Sequence, residues 1–127
     1  MTQERKRSGF TLIELLIVLA VIAMLLTIAL PRYFSSLERS REAVLKQNLA
    51  LMRETLDKYH ADKGKYPVAL DELVSSKYLR SMPLDPITES NATWISIPPA
   101  QPEMGGVFDV KSGADGIALD GTEYKKW

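Results

Sequence analysis

The chain has 127 residues, 46% of them hydrophobic, with 16 basic and 16 acidic side chains and a formal charge of zero. A balanced chain of this size has room for one membrane segment and one small domain, and without a concentrated basic face it is not expected to bind nucleic acid. Cysteine is absent, which excludes a disulfide framework, a thiolate metal site and a thiol nucleophile.

Residues 1–9 are polar and basic, with Arg5, Lys6 and Arg7 against Glu4; without them the chain carries a net charge of −2. The bias of Lys and Arg toward the cytoplasmic side predicts a cytoplasmic N-terminus and export of everything after Pro31. From Phe10 to Leu30 the sequence is apolar almost without a break, and Pro31 closes the run. As a helix these 21 residues measure roughly 32 Å, about the thickness of a bilayer's hydrocarbon core. The run is longer than the apolar part of a secretory signal, and only Thr27-Ile28-Ala29 loosely imitates a signal-peptidase site, so a retained membrane segment is predicted. Glu14 lies inside it. An ionised carboxylate costs about 2.5–3.5 kcal/mol at mid-depth in hydrocarbon and less near the end, so Glu14 needs a compensating partner.

The junction of basic residues, Gly9 and Phe10-Thr11-Leu12-Ile13-Glu14 resembles the type IV pilin family. Precursors of that family carry a short basic leader ending in glycine, which a prepilin peptidase removes on the cytoplasmic side. The resemblance implies cleavage between Gly9 and Phe10, N-methylation of Phe10, and pairing of Glu14 with the terminal amine of a neighbouring subunit. An isolated Glu14 is a cost, whereas a paired one sets the register of a helical stack. Pro31 has no N–H and can kink or open a helix. The resemblance implies that the segment before it loosens during assembly, while a proline that simply ends the membrane helix accounts for the residue equally well.

Beyond Pro31, Leu45, Leu49, Met52, Leu56 and Tyr59 recur at helical spacing and predict one apolar helix face. The opposite face carries Glu42 with Lys46 and Glu54 with Lys58 as acid-first pairs, and the lone His60 reads as a surface residue. Lys63-Gly64 is the predicted helix stop. A helix continuous from Phe10 has 54 residues and is roughly 80 Å long, more than so small a domain can bury. Its first half is therefore expected to be solvated by lipid before assembly and by other copies of the chain afterwards.

Residues Leu70, Leu73 and Val74 predict a short helix, Tyr78-Leu79 an extended apolar patch, and Met82-Pro83 with Asp85-Pro86 a loop. This order resembles the G-type major pseudopilins of type II secretion, with a departure at Ile87-Thr88, where many members have Trp-Gly. Residues 93–97 and 107–111 predict strands around a Pro- and Gly-rich loop, and Asp120-Gly121 a two-residue hairpin turn. The expected fold is α+β and pilin-like: one long N-terminal helix against a C-terminal antiparallel sheet of three to four strands. Trp94, Phe108 and Tyr124 are expected in the core or on the sheet face. The segments are 1–9 (leader), 10–30 (membrane and filament core), 31–63 (amphipathic half of the helix) and 64–127 (globular domain).

The loop from Ser112 to Gly121 has two readings. Asp115-Gly116 and Asp120-Gly121 serve as turns, since both residue types tolerate the dihedrals. Alternatively Ser112, Asp115 and Asp120, with loop carbonyls, hold calcium, a hard cation that takes about six to eight oxygens. The spacing is not that of an EF-hand. In G-type pseudopilins the comparable loop binds calcium, and Asp109, Ser112, Gly113, Ala114, Asp115 and Gly116 match its run. Lys125 and Lys126 would weaken such a site, while a metal staple would help a small domain without disulfides.

One histidine, no glycine-rich loop before a helix and no Gly-x-Ser-x-Gly elbow argue against an enzyme. The resemblance implies a subunit that polymerises with itself at a bacterial inner membrane, its C-terminal domain in the periplasm. The implied partners are a prepilin peptidase, minor pseudopilins, an inner-membrane assembly platform and, before assembly, lipid. The alternatives are a type IV pilin of a surface fibre and an uncleaved single-pass protein with an exported binding domain.

Overall fold

The computed structural model describes residues 2–4 and 7–127, so Arg5 and Lys6 of the predicted leader lie outside the described residues. The chain forms two compact units, Met1–Leu37 and Glu38–Trp127, and helix α1 (Leu12–Lys63) contributes to both.

In the first unit the helix starts with a reciprocal cap. The Glu14 N–H donates to Thr11 Oγ1 at 3.2 Å, and the Thr11 N–H donates to Glu14 Oε2 at 3.4 Å. Thr11-x-x-Glu14 is thus a capping box, which satisfies two N–H groups that a helix start leaves without partners. The large apolar side chains from Phe10 to Phe34 are 47–89% exposed, and none of the apolar span is buried. Pro31 lies inside α1, so the reading in which it ends the helix does not hold. The proline ring fixes a φ that a helix accepts, but the missing N–H removes the bond to the Thr27 carbonyl and the ring crowds that carbonyl, which weakens the helix there without ending it. The Thr27 hydroxyl bonds back within the helix, to the carbonyls of Met24 at 2.5 Å and Ala23 at 3.3 Å.

In the second unit the predicted stripe Leu45, Leu49, Met52, Leu56 and Tyr59 is buried. Leu70 and Leu73 at helix α2 (Asp71–Ser75), Leu79, Val107, Val110, Ala114, Ala118 and Tyr124 complete this core. Helix α1 stops where expected: Gly64 adopts φ 75°, and its N–H closes on the His60 carbonyl at 2.8 Å. Strands β1 (Trp94–Ile97) and β2 (Asp109–Ser112) pair antiparallel, Trp94 opposite Ser112 and Ile97 opposite Asp109. The loop between them folds back: the Tyr66 N–H bonds the Met104 carbonyl at 2.6 Å, and the Gly106 and Val107 N–H groups share the Pro67 carbonyl at 3.0 Å. A Cβ on Gly105 or Gly106 would collide with the carbonyl oxygens of Tyr66 or Val68, so this fold-back requires both glycines.

The architecture is α+β with a long N-terminal helix, and the sheet has two strands where three to four were expected. The other pairings stop at single bridges, Asp85 with Ser90 and Ile117 with Glu123. The second cannot lengthen because the chain next curls into a 3₁₀ turn at Tyr124–Lys126. Its turn is one residue longer than predicted: Ala118 accepts from the Gly121 N–H and donates to the Thr122 carbonyl, with Gly121 at φ 87°. That is a three-residue loop closing on a left-handed glycine. Trp94 and Tyr124 join the core, but Phe108 stays 50% exposed, edge-on to Tyr66 at 5.4 Å. His60 is not a free surface residue, since its ring stacks on Tyr66 at 4.4 Å.

Candidate functional site

Two places carry the predicted functional residues. At the first, the Gly9–Phe10 bond precedes the helix, in exposed backbone with open space around Gly9. A protease needs this kind of reachable, non-helical peptide. Glu14 stands in the first turn of α1, where a negative charge is also favoured by the helix dipole. Within one subunit its carboxylate is held by Thr11. The Thr11-x-x-Glu14 spacing carries that signal in the sequence, although Glu14 by itself reads only as an unpaired charge.

At the second place, the C-terminal loop, the predicted ligands separate. Ser112 is fully buried; its hydroxyl donates to Asp85 Oδ2 at 2.5 Å and accepts from the Ala114 N–H at 3.1 Å. Asp115 pairs with Lys125, Nζ to Oδ1 at 2.6 Å. The hydrogen bond from Lys125, with its charge, holds the Asp115 carboxyl below the usual carboxylate range and raises Lys125 in return. Asp120 accepts from the Thr122 hydroxyl at 2.6 Å and its N–H at 3.0 Å, which holds its carboxyl low as well. Asp109 accepts from Arg53 Nε at 2.9 Å, while Arg53 Nη2 donates to the carbonyl oxygens of Val110 at 3.0 Å and Trp127 at 2.8 Å. Gly113 has a packing reason of its own, because a Cβ there would collide with the Thr93 carbonyl oxygen.

Glu42 and Lys46 do not pair as predicted. Glu42 Oε1 accepts from the Leu119 N–H at 2.8 Å and the Tyr124 hydroxyl at 3.0 Å, and Lys46 lies over the Trp127 ring at 4.5 Å. Burial, then the bond to Glu42, pushes the Tyr124 hydroxyl up to about 12. Glu54 and Lys58 do pair, at 3.1 Å. Arg53, Asp85 and Glu42 are the organising residues that sequence reasoning missed, since their partners are distant in the chain. Among the described residues, no group of three acidic or histidine side chains is arranged to hold a metal. Of the loop's predicted donors, the Ser112 hydroxyl bonds Asp85 and the Ala114 N–H, Asp115 Oδ1 pairs with a lysine, and Asp120 Oδ1 holds its own turn.

Comparison with known proteins places residues 5–30 in the prokaryotic N-terminal methylation motif. The type II secretion system core protein G of Pseudomonas aeruginosa is 31% identical, over 90% of this chain and 88% of its own length. Its Klebsiella pneumoniae counterpart is 23% identical over 97% and 96%. The type IV major α-pilin of Moraxella bovis is 39% identical over 56% of this chain and 44% of its own. No solved structure matches the chain at a significant level. With a relative this similar over nearly its whole length, the chain belongs to the type IV pilin-like family and is most like the G-type major pseudopilins of type II secretion.

Proposed function

We propose that the chain is a structural subunit, not an enzyme, that polymerises into a type II secretion pseudopilus and so drives export of folded proteins across an outer membrane. One observation carries the reading: an apolar helix exposed on every side, headed by the methylation motif. Such a surface needs lipid or other apolar helices around it, and a helical stack of copies supplies them. In this reading residues 1–9 are the leader, removed by prepilin peptidase between Gly9 and Phe10. Residues 10–30 are stored in the inner membrane and then form the filament core, residues 31–63 extend the helix, and residues 64–127 complete the periplasmic domain. Glu14 exchanges Thr11 for the methylated amine of a neighbouring Phe10, and Pro31 weakens the helix before it. An assembly platform lifts subunits out of the bilayer, and minor pseudopilins share the filament.

A surface fibre is the second reading, since pilins are among the relatives. The core protein G match spans 88% of that relative, against 44% for the Moraxella pilin, and favours the pseudopilus. Mass spectrometry of the membrane-extracted chain tests the processing. The expected N-terminus is a methylated Phe10 in cells with active prepilin peptidase. An intact Met1 or Thr2 terminus would favour the uncleaved anchored protein.

A further inference from the structure

The predicted donors of the C-terminal loop are bonded within the fold, and the loop is firmly attached. Glu42 of α1 holds it at the Leu119 N–H and the Tyr124 hydroxyl, and Arg53 of α1 holds the Trp127 carbonyl oxygen together with Asp109. Lys111 Nζ adds bonds to the carbonyl oxygens of Lys126 at 3.2 Å and Trp127 at 3.4 Å. The Lys46 ammonium covers the Trp127 ring. Asp115 borders two hollows, one of about 230 Å³ that Glu38 and Arg41 also line and one of about 300 Å³ that Glu123 and Lys125 also line. Each hollow sets one basic side chain beside its acids, and Asp115 Oδ1 is already paired with Lys125 at 2.6 Å. That exposed pair contributes little stability by itself. Its effect is to take the oxygen, while the anchors on α1 do the fastening.

We propose that side chains of α1, chiefly Glu42 and Arg53, fasten the C-terminal loop in place of a divalent cation, so that the folded domain needs no calcium. This goes beyond the filament reading, and its test reads the melting of the domain and not assembly.

The test uses the full processed chain in detergent micelles, melted with tryptophan fluorescence as the readout, in excess calcium chloride and in excess chelator. A metal bound at a hundredfold excess over its dissociation constant would raise the midpoint of a domain this small by roughly 10–20 °C. The expected result is one midpoint in both conditions, within about 1 °C; a calcium-dependent rise of several degrees overturns the proposal. In a second arm, Glu42→Ala is expected to lower the midpoint equally with and without calcium and to speed amide exchange over residues 117–124. Unchanged exchange there would show that Glu42 does not hold the loop. Should that variant fail to fold, the calcium comparison on the unaltered chain still decides.

Discussion

Asp85 has no exposed surface and, among the described residues, no salt-bridge partner, yet its carboxylate is fully engaged. Oδ1 accepts from the N–H groups of Ile87 at 2.9 Å and Thr88 at 3.3 Å, and Oδ2 accepts from the Ser112 hydroxyl. It pins the Asp-Pro loop to the end of β2, so its loss strands three donors in the interior. Asp85→Ala is expected to cost about 3 kcal/mol, read as a lower urea midpoint with little change in slope. A change within about 0.5 kcal/mol would mean that water replaces the carboxylate. Gly64, whose partner is close in sequence, was legible as a helix stop. The Thr11-x-x-Glu14 capping box is equally local but is masked, because Glu14 reads first as a charge in search of a partner. Asp85 was not legible, because Asp-Pro announces a turn and nothing local announces Ser112. Glu42 misled for the same reason: its helix neighbour Lys46 was plain to see, and Tyr124, far along the chain, was not.

Among the elements, α1 could be read almost residue by residue because helix periodicity is local. The β pairing could not, because it depends on contacts the chain makes only after the loops are set, and here a 3₁₀ turn cuts one pairing short. Helix α2 is tied to α1 through Glu72, whose Oε1 accepts from the Tyr59 hydroxyl at 2.8 Å and whose Oε2 accepts from the Val68 N–H at 2.7 Å. The Val68 bond first, then that from Tyr59, holds the Glu72 carboxyl below its usual range, and its bond to Glu72 in turn raises the Tyr59 hydroxyl. The folded chain thus releases this proton more readily than the unfolded one. The contribution of Glu72 to stability is complete above the ordinary glutamate range and lost as pH falls through the lowered folded value. Thermal melts between neutral and acid pH should show the midpoint falling in that window, and Glu72→Gln should reduce the fall. An equal acid sensitivity in both chains would assign it to other carboxylates.

For the whole molecule, the apolar residues 10–30 and the absence of reactive groups made the class of function legible, and relatives over nearly the full length agree with it. The C-terminal loop left two readings open in the sequence, turns or a cation site, and in the fold its oxygens bond Asp85, Lys125 and Thr122. The central claim is that Glu14 works between subunits, and Glu14→Gln isolates it. The amide keeps an oxygen that can cap the Thr11 N–H but has no charge for a neighbour's amine. Filaments made by cells producing this variant with the secretion machinery should be counted by electron microscopy, next to the melting midpoint of the extracted chain. The account predicts few or no filaments with an unchanged midpoint, and filaments as numerous as those of the unaltered chain would contradict it.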